Sequence, residues 1–184
     1  MRVACIDCGS NTVLLLVADK TEKDLVVVEE RIAFTRLSQG LQSYGYLQPE
    51  PMHRTLTTVT VFVKYAQELG AQKILLLTTE AVRSASNRDE FLTQLKKLPV
   101  ELQPLSGEEE AQLGFAAVCR DFHHQEITVI DIGGASTEIS MGDKKIESRH
   151  SFPIGVVRMT EQFLRHVPPT ADEISNLRCY LSEL

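Results

Sequence analysis

At 184 residues the chain is one large domain or two small ones, long enough to bury a core. Lys+Arg 19 against Asp+Glu 25 leaves a net charge of −6, the wrong sign for a chain whose whole surface binds DNA, RNA or an anionic membrane. With 43% hydrophobic and 24% charged residues disorder is excluded as the default, and any anionic ligand must be held by a local constellation.

The longest apolar run, Val13 to Ala18, is too short to span a bilayer, and the opening residues lack the apolar region and cleavage site of a signal peptide. The expectation is a soluble cytoplasmic protein with reduced thiols at Cys5, Cys8, Cys119 and Cys179. Cys5 and Cys8 have redox-pair spacing, yet they sit in a strand running into a glycine turn and read better as small buried strand residues.

Arg2 to Asp7 and Thr12 to Ala18 read as strands joined by the turn formers Cys8-Gly9-Ser10-Asn11, and Leu25 to Ile32 as a third strand. An irregular section ends at Pro49. From there to Leu69 the apolar positions Met52, Leu56, Val59, Val63 and Ala66 have helical spacing, stopped by Gly70. Ile74 to Leu77 suits a strand covered on both faces, reached by a parallel crossover through that helix. Short helices are predicted over Thr79 to Ala85 and Asp89 to Lys97, a strand over Val100 to Leu105, and a helix from Ser106 to about Arg120, whose N-cap and acidic first turn agree with the helix dipole. Further on, Lys144 to Phe152 predicts a strand, Gly155 to His166 a helix and Thr170 to Leu184 a last helix.

The opening pattern returns in Ile127-Thr128-Val129-Ile130-Asp131-Ile132-Gly133-Gly134-Ala135-Ser136-Thr137-Glu138-Ile139. Apolar strand, aspartate, glycine turn and small polar residues follow in the order seen from Val3 to Val13, and one offset carries Asp7 onto Asp131. Such a spacing suits two related domains facing each other. Glycine lets backbone N–H groups approach phosphate oxygens, and a strand-terminal aspartate can hold a magnesium ion or its waters. Gly9, Ser10, Asn11, Gly133, Gly134, Ala135 and Ser136 are therefore the candidate phosphate-binding residues.

Five blocks carry a resemblance. Ile6-Asp7-Cys8-Gly9-Ser10-Asn11-Thr12, Thr79-Glu80-Ala81-Val82-Arg83 with Ser86-Asn87-Arg88, Leu105-Ser106-Gly107-Glu108-Glu109-Glu110-Ala111, Asp131 to Glu138, and Pro153-Ile154-Gly155-Val156-Val157-Arg158 resemble the ordered motifs of the exopolyphosphatase / guanosine pentaphosphate phosphohydrolase family, within the actin-like ATPase superfamily. The resemblance covers essentially the whole chain. It implies an α/β protein with a ribonuclease-H-like domain over 1–120 and the N-terminal part of a second over 121–184. The implied activity is magnesium-dependent hydrolysis of a terminal phosphoanhydride bond in polyphosphate or guanosine pentaphosphate. Family members are longer, with a further glycine loop and more of the second sheet, which leaves the strand at 127–132 with a free apolar edge and makes a homodimer the expected assembly.

Residue by residue, the resemblance makes Glu110 the catalytic base, Arg83 the holder of the terminal phosphate, and Asp131, Glu138 and Asp7 the Mg2+ carboxylates. From the residues alone other readings stand beside these. The three adjacent glutamates can merely complement the helix dipole, Arg83 can pair with Glu80, Glu138 can be an exposed strand residue, and Arg88 can be solvated. Ala135 replaces a glycine usual in the family, and no histidine, the His123-His124 pair included, has metal-ligand spacing. The rival function is a non-catalytic sensor that binds a polyphosphate or nucleotide anion in the same cleft, which needs the loops and Arg83 but no base.

Overall fold

The structure is a computed structural model describing residues 1–184 except 23, 123–125 and 184, so His123 and His124 lie outside the described residues. β1 (Arg2–Cys8), β2 (Thr12–Lys20) and β3 (Leu25–Phe34) form an antiparallel meander. After the one-turn α1 (Leu41–Tyr44) and the long α2 (Pro49–Glu68), β4 (Lys73–Thr78) pairs parallel with β1. The short α3 (Glu80–Ser84) and α4 (Arg88–Leu95) lead to β5 (Glu101–Pro104), parallel to β4, giving the order β3-β2-β1-β4-β5. The parallel crossover through α2 is thus present.

Strand alternation decides what is buried. Ala4, Ile6 and Cys8 of β1, Val13, Leu15 and Val17 of β2, and Ile74 and Leu76 of β4 share one face, packed on Val59, Phe62, Val63 and Ala66 of α2 and on Phe91 and Leu95 of α4. Each large aliphatic or aromatic side chain buried here contributes about 1.5–3 kcal/mol. The other face is open. Leu75 and Leu77 remain half-buried, so β4 is covered on one face and not on two, because α2 and α4 lie on the same side. The same alternation sends Cys5 and Cys8 to opposite faces, where they cannot bond to each other; both are free thiols, pushed up by burial and by the Asp7 charge.

The second sheet, β6-β7-β8, is antiparallel and built from β6 (Ile127–Ile132), β7 (Thr137–Gly142) and β8 (Ile146–Phe152). Helix α5 (Gly107–Cys119) packs on all three of its strands. The chain ends in α6 (Val156–Phe163), shorter than expected, and α7 (Ala171–Ser182), which pack on each other. Between them the carboxylate of Glu173 gathers the backbone N–H groups of Arg165 and Thr170, which ends one helix and starts the next. Among the described residues β6 has no partner on its outer side, where Ile130 and Ile132 are exposed. No helix is long and apolar enough to cross a membrane among the described residues.

The two hairpins repeat in atomic detail. Gly9 N–H donates to Thr12 O at 3.0 Å, and Gly133 N–H donates to Ser136 O at 2.9 Å. Asp7 faces Leu14 across the first hairpin and Asp131 faces Glu138 across the second, all related by the offset read in the sequence. Gly155 locks the second turn. A Cβ there would lie 2.5 Å from the Gly134 carbonyl carbon and 2.6 Å from backbone atoms of Ala135, and the next N–H groups, of Val156 and Val157, donate to Gly133 O and Gly134 O at 2.9 Å. We predict that Gly155→Ala destabilises the fold by about 1–3 kcal/mol, the cost of forcing a methyl against fixed backbone. Chemical denaturation measures it, and an unchanged midpoint would show that the turn can yield.

Candidate active site between two glycine turns

The parallel strands β1 and β4 end side by side, with Cys8 opposite Thr78, so the residues just beyond them share one rim. Ligand sites of α/β sheets gather at such carboxyl ends. The second hairpin faces this rim closely. A Cβ on Gly134 would stand 3.0 Å from the Ser10 Cβ and 3.3 Å from the Asn11 N. Around this contact lies a cleft of about 310 Å³ lined by Asp7, Gly9, Ser10, Asn11, Glu110, Asp131, Gly133, Gly134, Ala135 and Ser136, joined by Thr12, Thr79, Glu80, Ile132 and Val156.

Both turns offer donors. Among the described residues the backbone N–H groups of Ser10, Asn11, Gly134 and Ala135 make no hydrogen bond within the protein. Free N–H groups in consecutive turn residues form anion-binding concavities. The first turn is held from behind by the loop after β3. Thr35 and Arg36 N–H groups donate to Asn11 O, and Ser38 N–H donates to Ser10 O, with Arg36 drawn into left-handed backbone at φ 50°. The N-terminus of α6 is not a donor site, since its first N–H groups are spent on the second turn.

The three glutamates of α5 divide by helical spacing. Glu108 pairs with Arg149 of β8, Glu109 closes a capping box with Ser106, and Glu110 turns to the cleft. About 100° per residue separates them, so one side chain reaches the site while its neighbours stabilise the helix end. Burial pushes the Glu110 carboxyl up to about 7, the nearby charges of Glu138 and Asp7 add to this, and the Arg83 guanidinium opposes it. A carboxyl half-ionised near neutral pH suits proton transfer.

Arg83 stands behind the cleft and not in it. Its Nε and Nη2 donate to Glu80 Oε2 at 3.1 and 2.7 Å, its Nη1 to Leu105 O at 2.6 Å, and both Nη atoms to Glu110 Oε2 at 3.3 Å. The ion pair with Glu80 is therefore present, together with a second one to Glu110. Arg88 is half exposed and lies 3.9 Å from Asp89. Glu138 is not an exposed strand residue: it is 6% exposed, accepts from the Ser151 hydroxyl at 3.0 Å, and lines an adjoining cavity with Glu110 and Asp131. Glu80 was legible only as a partner for Arg83. Its place two residues past the strand that neighbours β1 was the signal for a cleft position.

Asp7 is raised by burial and then by Asp131, and its Oδ1 is buried without a hydrogen-bond partner. Among the described residues no group of three or more His, Cys, Asp or Glu side chains could hold a metal ion, so Asp7, Asp131 and Glu138 do not form a closed cage. An orphaned aspartate oxygen facing a second carboxylate does fit magnesium, which keeps several waters and takes one or two carboxylates plus phosphate oxygens.

Because Glu110 is raised above its unfolded value, its contribution to stability is complete below about pH 4.5 and is lost as pH rises through about 7. Glu110→Gln is thus expected to stabilise the chain more at pH 8 than at pH 5, and Arg83→Ala to raise the carboxyl further. Carbon-detected NMR titration of the Glu110 side chain reads both, and an ordinary carboxylate value would contradict them.

Comparison with known proteins agrees with this geometry. A model of the Ppx/GppA phosphatase family matches residues 16–184. Exopolyphosphatase 2 of Mycobacterium tuberculosis is 33% identical over 194 residues, covering 99% of this chain and 61% of that protein. The crystal structure of an exopolyphosphatase from Cytophaga hutchinsonii superposes with a TM-score of 0.91 at 29% identity, over 100% of this chain and 60% of the other. MreB5 of Spiroplasma citri, 14% identical with a TM-score of 0.50 over 90% of this chain and 56% of its own, shares the fold alone, that of the actin-like ATPases. The chain spans about 61% of the Mycobacterium relative's length.

Proposed function

This chain belongs to the Ppx/GppA phosphatase family, and from that premise we propose that it forms the catalytic cleft of a cytoplasmic hydrolase that removes the terminal phosphate of inorganic polyphosphate. Guanosine pentaphosphate is the second substrate of the same chemistry, since it too ends in a phosphoanhydride. The observation that carries the reading is the Glu110 carboxyl, tuned to about 7 at the wall of a cleft whose two glycine turns present free N–H groups.

The N–H groups of Ser10 and Asn11 on one side and Gly134 and Ala135 on the other hold the phosphate chain. Ser136 closes the second turn. Glu110 accepts a proton from a water and aims it at the terminal phosphorus; the bond to the bridging oxygen breaks, and inorganic phosphate and a shortened chain leave. Arg83, released from its carboxylates, meets the terminal phosphate oxygens, a task that suits a planar guanidinium. Asp7 and Asp131, with Glu138 behind them, would hold Mg2+, which would supply charge neutralisation for the polyanion. Self-association through the free edge of β6 completes the proposal, because an apolar strand with unpaired N–H and C=O groups is a template for a second copy.

Phosphate release from long-chain polyphosphate and from guanosine pentaphosphate, with and without magnesium, tests the reading. We predict that Glu110→Gln lowers kcat by about 10²–10⁴ while leaving anion binding close to unchanged. A variant that turns over as fast as the parent removes Glu110 from the chemistry. Sedimentation tests the assembly, and a chain monomeric at all concentrations excludes pairing at β6.

A further inference from the structure

The cleft is acidic where a polyanion is to enter. Asp7, Glu80, Glu110 and Asp131 line it, and among the described residues no lysine or arginine does. The guanidinium of Arg83 is bonded to Glu80 and Glu110 of the cleft wall, and all five of its N–H bonds are engaged by protein acceptors. These contacts are unequal. The two to Glu80 are 3.1 and 2.7 Å, whereas those to Glu110 are 3.3 Å. Glu80 Oε1 also lies 2.7 Å from the Ser84 hydroxyl of the same short helix, which shares its one proton between that oxygen and the Glu80 backbone carbonyl at 2.6 Å. Both partners of the stronger pair are only about a quarter exposed, so solvent screens it weakly.

We propose that Glu80 is a positioning residue that acts as the resting-state counter-ion of Arg83 and sets how readily the arginine is handed to a phosphate. Two carboxylates on one guanidinium leave a net negative charge beside the phosphate position. An incoming phosphate oxygen must displace Glu80 from Nη2 before it gains a strong charge-assisted bond. Glu80 touches no reacting atom. Its effect passes through Arg83, and it lowers affinity in exchange for keeping the arginine ordered and ready when the cleft is empty. The inference rests on the assignment of Arg83 to phosphate in the proposed function.

Calorimetric titration with imidodiphosphate, whose bridging N–H resists hydrolysis, tests it on the chain and its variants. Glu80→Gln is expected to tighten binding by about three- to tenfold, the scale of one partly screened charge, while lowering the melting temperature. Glu80→Asp, which keeps the charge, should stay near the parent. Glu80→Ala, well tolerated in a helix, is expected to match Glu80→Gln and serves if the glutamine variant does not fold. In an Arg83→Ala background the gain should vanish. If Arg83→Ala weakens binding but the neutral variants of Glu80 bind no better than the parent, this inference falls and the phosphatase reading stands. If Arg83→Ala binds as well as the parent, the arginine does not hold phosphate and both fall.

Discussion

Two turns of backbone meet with almost nothing between them, and the rest of the molecule is arranged to let them do so. Gly134 stands against Ser10 and Asn11 with room for little more than hydrogen, and Gly155 stands against the Gly134–Ala135 peptide with no room for a methyl. Because backbone N–H groups are short and fixed, both turns must come close before their donors can converge on one anion. Each sheet supplies its turn at the end of a hairpin whose register is set by strand alternation, so a slip of one residue would send Asp7 or Asp131 to the opposite face. The loop from Thr35 to Ser38 fixes the first turn, and α6 fixes the second with backbone bonds alone.

Charge is organised around this backbone contact in the opposite sense. The side chains crowded at the cleft are carboxylates, and their mutual repulsion together with burial raises Asp7 and Glu110. Such an arrangement costs stability in the absence of a cation. Arg83 is divided between Glu80 and Glu110, so the carboxylates of this wall are strongly self-paired. Under the proposed function, a polyanion accompanied by a divalent cation would relieve both problems, the cation serving the aspartates and the phosphate the arginine.

Much of this was legible in the sequence. The recurrence of Asp-x-Gly with one offset located both turns, and strand alternation with helical periodicity gave every major element. The choice of Glu110 among the three glutamates of α5 followed from resemblance, but its separation from Glu108 and Glu109 follows from helix geometry once Arg149 and Ser106 are seen to take the other two. What could not be read were facts of three-dimensional neighbourhood. The expectation that β4 is covered on both faces came from a run of four aliphatics, and periodicity does not say on which side helices will lie. Glu80 was hidden for a related reason: a helical pair with Arg83 at i and i+3 explains both residues locally, and only the parallel pairing of β4 with β1 reveals that one of them reaches the cleft.

The asymmetry between the two hairpins shows how a repeated unit acquires a direction. At equivalent positions the first carries Leu14, partly exposed on the open sheet face, and the second carries Glu138, almost wholly buried and held by Ser151. Each hairpin therefore contributes one aspartate to the cleft, and the second adds Glu138 in the adjoining cavity, on the side where α5 brings Glu110. A symmetric pair of phosphate turns would bind a phosphate chain equally in either sense. On the proposed reading, Glu138 of the second hairpin and Glu110 of α5 would give a bound phosphate chain distinct ends, with the end beside Glu110 meeting a carboxyl able to take a proton near neutral pH. Under the proposed function, removal of one terminal phosphate at a time would follow from that polarity, since the reacting phosphorus would lie where Glu110 and Arg83 converge.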